Sequence, residues 1–152
     1  MPISATAEIG DPRVAIVQKL YRDYSWETLK DLPKRATFQA APLRTLQSYL
    51  TDGLTQLITD DRACMTRRHE LCGLDFAFIW NSQDPEGIVA DVGSVSVGDL
   101  VTVKLRRATG QSDSLTYHVV RTEAGWRIDD IRGKGWRLRG VLPFVNPERT
   151  PN

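Results

Sequence analysis

The chain has 152 residues, of which 41% are hydrophobic and 26% are charged, and this composition is typical of a single-domain soluble protein. Its 20 basic and 19 acidic residues give a formal net charge of +1, which is too balanced for a general nucleic-acid-binding or membrane-surface protein. No apolar run approaches the roughly 20 residues that a membrane span requires. These numbers predict one packed core.

The first predicted element is an amphipathic helix. Residues 1–10 have neither the charged start nor the apolar stretch of a signal peptide, and we expect a disordered lead-in there. Asp11 followed by Pro12 is typical of a helix start, with a capping oxygen and then a proline at the first helical position. Apolar side chains then recur at helical spacing as far as Tyr24, which predicts a helix of about four turns.

A second helix is predicted after an intervening loop. Pro42 opens it, and leucine and isoleucine side chains then recur at helical spacing. This pattern predicts a continuous helix that runs to near Ala63 or Met65. Gly53 lies inside the predicted helix, where glycine costs about 1 kcal/mol relative to alanine.

Two cysteines, Cys64 and Cys72, lie near the predicted end of this helix. In a continuous helix their Cα atoms would be about 12 Å apart, beyond the roughly 7 Å that a disulfide tolerates. A bond therefore requires a turn, which Gly73 and the polar residues before it permit. The sequence leaves two interpretations open: a disulfide, as in oxidising compartments, or two buried free thiols. A zinc site is not predicted, because two cysteines with His69 between them lack a four-ligand pattern.

After Gly73 the pattern changes to that of β-strands. β-branched residues alternate with polar ones, and turns that contain glycine separate the runs. The predicted strands are residues 89–97, 100–107, 115–120, 126–128 and 137–145. Helices followed by hairpin-linked strands predict an α+β fold, with N-terminal helices packed on one face of a curved antiparallel sheet in a cone-like arrangement. We expect a single domain over residues 11–145 and a tail over residues 146–152.

Charge is distributed unevenly between the two parts of the chain. Residues 1–100 carry 10 basic and 14 acidic side chains, whereas residues 101–152 carry 10 basic and 5 acidic ones. The basic segment is therefore expected to dock an acidic surface, and more strongly at low salt. We do not expect nucleic-acid binding, because the overall charge is balanced. The predicted binding residues are Arg127, Arg132, Trp136, Arg137 and Arg139.

Two short segments next to the predicted sheet carry a family resemblance. Residues 74–84 are rich in aromatic side chains and close on Gln83 and Asp84, and residues 125–131 have the sequence Gly-Trp-Arg-Ile-Asp-Asp-Ile. In this order, and after two helices, the segments resemble bacterial proteins of the cone-shaped, nuclear transport factor two-like superfamily. The closer likeness is to an uncharacterised, mostly exported or lipoprotein branch that shares Gln-Asp and Trp-x-Ile-Asp-Asp-Ile. It covers roughly residues 12–132.

The resemblance implies a compartment and a class of function. Most members of the branch are exported, so a periplasmic location is expected, with a cytoplasmic one as the alternative. Some similar small exported proteins bind and neutralise secreted bacterial toxins, so a non-catalytic binding protein, such as an immunity protein with a toxin as its partner, is implied. Self-association through the open sheet face is common for this fold. The apolar patch predicted for such a homodimer comprises Trp136, Leu138, Val141, Leu142 and Phe144.

An enzyme is the alternative that the sequence leaves open. The superfamily includes isomerases and dehydratases that place an Asp, a His or a Tyr inside the cone. His118 lies on a predicted strand, and Asp130 or Asp129 is expected to face it across the sheet, where a carboxylate orienting an imidazole is a workable general base. The chain has no glycine-rich phosphate loop, nucleophile elbow or His-x-x-x-His pair, so no cofactor and no metal are predicted.

Overall fold

Helices come first in the chain and strands second. The computed structural model of the protein describes residues 10–96 and 98–142. The α-helices in this part of the chain are α1 (Pro12–Asp23), α2 (Leu43–Gln47), α3 (Asp52–Arg68) and α4 (Leu138–Val141). Two short 3₁₀ helices, Ser25–Thr28 and Phe38–Ala40, lie between α1 and α2.

The strands form one antiparallel sheet in which neighbours in sequence are neighbours in space. Its order is β1 (Val89–Ser96), β2 (Leu100–Arg106), β3 (Ser112–Thr122), β4 (Gly125–Gly133) and β5 (Trp136–Arg137). The helices pack on one face of this curved sheet, so the predicted α+β class is confirmed. The opposite face, which we call the outer face, carries the exposed residues that alternate with the core along β2 and β3.

Helix α1 begins where the sequence predicts. Asp11 accepts a hydrogen bond from the Arg13 backbone N–H (2.9 Å) through its side chain, which caps the helix, and Pro12 follows as the first helical residue. Val17 and Leu20 are fully buried and pack against the sheet. The helix ends at Asp23, after about three turns.

The prediction of one continuous helix from Pro42 is wrong. The chain leaves the helical path after α2, and Tyr49 and Thr51 hydrogen-bond with Ile128 of β4: Thr51 N–H donates to the Ile128 carbonyl (2.9 Å), and Ile128 N–H donates to the Tyr49 carbonyl (2.8 Å). Helix α3 then starts afresh, with the Thr51 hydroxyl accepting from the Leu54 N–H. Gly53 therefore lies in the first turn of a helix, where a Cβ atom would come within 3.2 Å of Nη2 of Arg139.

The disulfide that the cysteine spacing allows is present. Helix α3 extends to Arg68, a few residues beyond its predicted end, and His69 then adopts a left-handed conformation (φ 57°) that reverses the chain. This turn brings the Cα atoms of Cys64 and Cys72 to 6.3 Å, and their sulfurs are bonded. The interpretation as two free thiols is therefore wrong.

A β-bulge alters the face assignment in β4. Strict alternation predicts that Ile128 and Ile131 point to opposite faces, but both are fully buried. The register shifts between the pairs Val119–Ile128 and His118–Asp130, so Asp129 is the extra residue of a bulge. The bulge returns Ile131 to the helix side of the sheet, and it helps to curve the sheet.

The predicted last strand over residues 137–145 is wrong. Strand β5 ends at Arg137, and the chain then forms the short helix α4. Leu138 and Leu142 are buried in the core, so these two residues are not available for the predicted dimer patch. Phe144, the predicted lead-in before Gly10 and the predicted tail lie outside the described residues.

Candidate binding face on the outer side of the sheet

Side chains fill the space between the helices and strands β3 and β4. Tyr117, Val119 and Ile128 are fully buried there. The Tyr21 hydroxyl donates to the Ile79 carbonyl (2.5 Å) and lies 2.6 Å from the Tyr117 hydroxyl. Burial raises the pKa of both tyrosines well above their ordinary value, so both phenols stay protonated at neutral pH.

His118 lies outside this core. It alternates with the buried Tyr117 and Val119 along β3, so its imidazole is on the outer face and is partly exposed. The sheet register places it opposite Asp130, but its Nδ1 atom approaches the Asp129 carboxylate instead, at 3.9 Å. The two acids thus lie near His118 across the sheet, but the predicted position of the pair inside the cone is wrong. The alternation of β3 places the imidazole on the outer face, and the bulge in β4 places the Asp129 carboxylate near it.

Asp129 connects three separate parts of the chain. Its carboxylate accepts from the Thr51 hydroxyl (2.9 Å), just before α3, and from Nη2 of Arg139 in α4 (2.7 Å). The Nε atom of Arg139 also donates to the Asp129 backbone carbonyl (2.7 Å). These contacts hold α3 and α4 against the bulge, which gives the first acid of the Asp-Asp motif a structural role.

Asp130 has a structural role of its own and is almost fully buried. Its Oδ1 atom accepts from the backbone N–H groups of Ile131 (2.9 Å) and Arg139 (3.0 Å), and it thereby ties the start of α4 to β4. The Nε atom of Arg137 lies 3.8 Å from the other carboxylate oxygen. The paired acids of the motif therefore fasten the last helix to the sheet.

A row of polar and basic side chains crosses the outer face. Thr102, Thr116, Arg132 and Arg137 are successive cross-strand partners on β2, β3, β4 and β5. Partners directly opposite in an antiparallel sheet point to the same face, so these side chains stand side by side. Lys104 is exposed on the same face of β2.

Arg132 and Arg137 form a pair of like charges. Directly opposite like charges destabilise an antiparallel sheet, because their Cβ atoms are only about 5 Å apart. Asp130 offsets Arg137 in part, whereas the side chain of Arg132 has no hydrogen bond or ion pair with any residue from 10–96 or 98–142. The two arginines border a depression of about 510 Å³ that Gly133, Gly135 and Gly140 also line. The arrangement is suited to an anionic group, which would separate the two guanidinium charges.

The other three predicted binding residues are engaged within the protein. Arg139 is held by Asp129, and Arg127 donates to the Gln47 carbonyl (2.8 Å) and to the Trp126 carbonyl (2.8 Å). Trp136 donates from its indole nitrogen to Asn81 (3.1 Å), and its indole lies against Gly133. These residues shape the face, whereas Arg132 and Arg137 present charge to the surroundings.

Sequence reasoning missed Lys104 as a member of this face. Its signal was the alternation of β2, in which Thr102, Lys104 and Arg106 are the exposed positions between buried Val103 and Leu105. Arg106 pairs with an aspartate of β1 at 3.2 Å, so Lys104 is the more available charge.

The described residues offer neither a metal-binding cluster nor a membrane-spanning helix. No group of three or more His, Cys, Asp or Glu side chains suited to a metal ion occurs among them. Within the same part of the chain, no helix combines the length and the apolar character needed to cross a bilayer.

Comparisons with known proteins identify similar structures. No protein-family profile and no curated protein matches the sequence significantly. A protein of unknown function from Bacteroides thetaiotaomicron is 19% identical, with a TM-score of 0.52 over 86% of this chain and 96% of the other. A phospholipid-binding protein from Ralstonia solanacearum is 21% identical, with a TM-score of 0.32 over 88% of this chain and 73% of the other. The Bacteroides protein supports the fold alone.

Proposed function

We propose that this protein is an exported, non-catalytic binding protein that docks an acidic surface of a protein partner through the outer face of its sheet. The observation that carries the proposal is the exposed pair of Arg132 and Arg137. A stretch of sheet that holds two adjacent guanidinium groups without full neutralisation is best explained by a partner that supplies the anions. Lys104 on the same face extends the positive surface toward β2.

Two further observations support the proposal. Tyr117, Val119 and Ile128 fill the space beneath β3 and β4, where an interior His-Asp pair would have to lie, and this favours binding on the outside over chemistry at such a pair. The bond between Cys64 and Cys72 favours an oxidising compartment such as the periplasm.

We further propose that the partner is a secreted bacterial toxin and that this chain acts as its immunity protein. The support is the resemblance of the 74–84 and 125–131 segments to the exported branch of the cone-shaped superfamily, together with the charge of the outer face. A protein that neutralises a toxin needs fast association, and complementary charge raises the association rate.

The binding experiment compares the wild-type protein with an R132E/R137E double variant. Both are immobilised and exposed to an envelope extract of the source organism, and any protein retained by the wild type alone is identified and purified. We expect an acidic partner whose association rate falls steeply with ionic strength and is at least about tenfold lower for the double variant. Lys34→Glu, in the exposed loop before α2, is the matched control for a reversed charge, and its rate should equal that of the wild type. Equal rates for wild type and double variant, or no retained protein, would refute the docking face.

The toxin proposal has a separate readout. The product of the neighbouring gene is exported to the periplasm of a test bacterium, alone or together with this protein. We expect growth arrest with the neighbouring product alone, rescue by the wild type and no rescue by R132E/R137E. If the neighbouring product does not impair growth, or if the double variant rescues as well as the wild type, the immunity role is wrong.

A further inference from the structure

Strand β1 is an uncovered edge of the sheet. It pairs with β2 on one side, and in the part of the chain that the structure describes no backbone group of Val89–Ser96 hydrogen-bonds to a residue outside that pairing. Every second residue of an edge strand directs its N–H and C=O groups away from the neighbouring strand, so β1 presents a row of free donors and acceptors. The opposite edge differs, because β5 has only two residues and leads directly into α4.

A β-bulge divides β1 into a regular and an irregular part. The register with β2 shifts between Val92 and Val95, so two residues of β1 oppose one of β2 there. Bulges are one of the features by which proteins protect an edge strand from pairing with another chain. Residues 89–92, before the bulge, are regular and contain no proline, and their one charged side chain, Asp91, is paired with Arg106. This segment is therefore the part of the edge that another strand can join.

A groove of about 560 Å³ lies between this segment and α1. Its lining includes the buried Tyr21, Trp80 and Ile88, together with the half-buried Ala90 and Val92 of β1. A strand added to β1 would continue the alternation of the sheet, so every second side chain of that strand would point to the helix side and into the groove. The apolar part of the lining favours an apolar side chain at this position.

The α1 wall of the groove carries a cation that is available to a ligand. Arg22 is the one cation among the described residues that line the groove, and its side chain is 72% exposed. Its guanidinium approaches the carboxylate of the adjacent Asp23 only at 3.9 Å, and that carboxylate already accepts from Lys19 (2.7 Å) and from the Tyr49 hydroxyl. The charge of Arg22 therefore favours an acidic side chain in the added strand.

We propose that a linear, extended peptide binds here by adding a strand to residues 89–92 of β1. Its backbone would pair with the free N–H and C=O groups, one apolar side chain would occupy the groove, and an acidic side chain two residues away would reach Arg22. A second copy of this chain fits less well, because its own β1 would present Ala90 and Val92, which already pack against the core of that copy. The site lies at the opposite end of the sheet from the arginine pair of the outer face, so it does not depend on the proposed function.

The probe is the peptide acetyl-Thr-Phe-Thr-Asp-Thr-amide, whose phenylalanine and aspartate point to the same side of a strand. Binding to the full-length, oxidised protein at pH 7 is followed by the chemical shifts and the hydrogen exchange of backbone amides. Two doubly N-methylated forms of the peptide are compared, one methylated at phenylalanine and aspartate and the other at the second and third threonines. The N–H groups of alternate residues face opposite sides of a strand, so each form blocks one edge of the peptide.

The protein variants test the charge at the groove. Arg22→Glu reverses an exposed charge on α1, where it should not disturb folding, and Arg44→Glu, exposed on α2, is the matched control. A second peptide, with lysine in place of aspartate, is complementary to Arg22→Glu.

We expect the probe to bind with a Kd of about 1 mM or tighter and to slow hydrogen exchange at alternate amides of residues 89–92. One methylated form should bind at least about tenfold more weakly than the other, because only one set of its N–H groups faces β1. Arg22→Glu should weaken binding of the probe by about threefold or more and should prefer the lysine peptide, whereas Arg44→Glu should bind the probe as the wild type does.

Three results would overturn the proposal: equal binding of the two methylated forms, unchanged binding by Arg22→Glu, or no binding of the probe to the wild type. Slower exchange of the same amides as the concentration of the protein alone is raised would assign the edge to a second copy of this chain, and it would overturn the proposal as well.

Discussion

Replacing Asp130 with alanine should destabilise the protein strongly. The substitution removes the acceptor for the backbone N–H groups of Ile131 (2.9 Å) and Arg139 (3.0 Å) at a site where Asp130 is only 4% exposed. Each donor left without a partner costs about 1 to 3 kcal/mol, so the loss of the acceptor for both should lower the free energy of unfolding by about 2 to 6 kcal/mol. Asp130→Asn keeps the Oδ1 acceptor and should cost about 1 kcal/mol or less.

Urea unfolding followed by circular dichroism measures these differences. Asp91→Ala is the matched control, because it also removes a carboxylate from the sheet, but one that is 59% exposed and paired with Arg106 at 3.2 Å. Such a surface pair contributes about 0 to 1 kcal/mol. If Asp130→Ala were as stable as Asp91→Ala, the structural role of the second acid of the motif would be refuted. If Asp130→Asn were as unstable as Asp130→Ala, the carboxylate charge and not the acceptor would be what matters.

The remaining predictions concern the disulfide and a buried acid. Cys72→Ser should lower the free energy of unfolding by about 2 to 3 kcal/mol, and a urea midpoint equal to that of the oxidised wild type would contradict this. Burial, opposed by hydrogen bonds from Phe38 N–H and Trp80 Nε1–H, raises the pKa of Glu27, so the folded state binds this proton more tightly than the unfolded state. Stability from Glu27 should therefore decrease as the pH rises from the ordinary glutamate pKa through the raised one, and Glu27→Gln should remove this slope. The measured quantity is the pH dependence of the free energy of unfolding. Its absolute value is not used, because replacing the carboxylate with an amide also removes one hydrogen-bond acceptor. A variant with the wild-type slope would contradict the assignment.

The fold was predictable because its elements obey local rules. The cap formed by Asp11 and Pro12 located the start of α1, and the alternation of β2 and β3 indicated which residues face the core. The helix break before α3 was missed because it depends on hydrogen bonds between the 49–51 segment and Ile128, which lies far away in sequence. Thr51 was the local signal for it, since it is a favourable N-cap residue.

The candidate site was predictable only in part. Arg132 and Arg137 were selected by charge, but their pairing depends on the register of β4 and β5, which sequence alone does not provide. Arg139 was selected by the same criterion, yet it is engaged by Asp129, because the bulge at that residue turns the carboxylate toward α4. A β-bulge of this kind shifts every later side chain and has no simple sequence signature.

The most direct test of the docking face observes its arginines in the complex. Once the acidic partner is purified, the Nε–H signals of the arginine side chains are recorded by NMR before and after its addition. We expect the signals of Arg132 and Arg137 to shift, while that of Arg22, which is exposed on α1, stays in place. A shift of the Arg22 signal with no change at the pair would contradict the account.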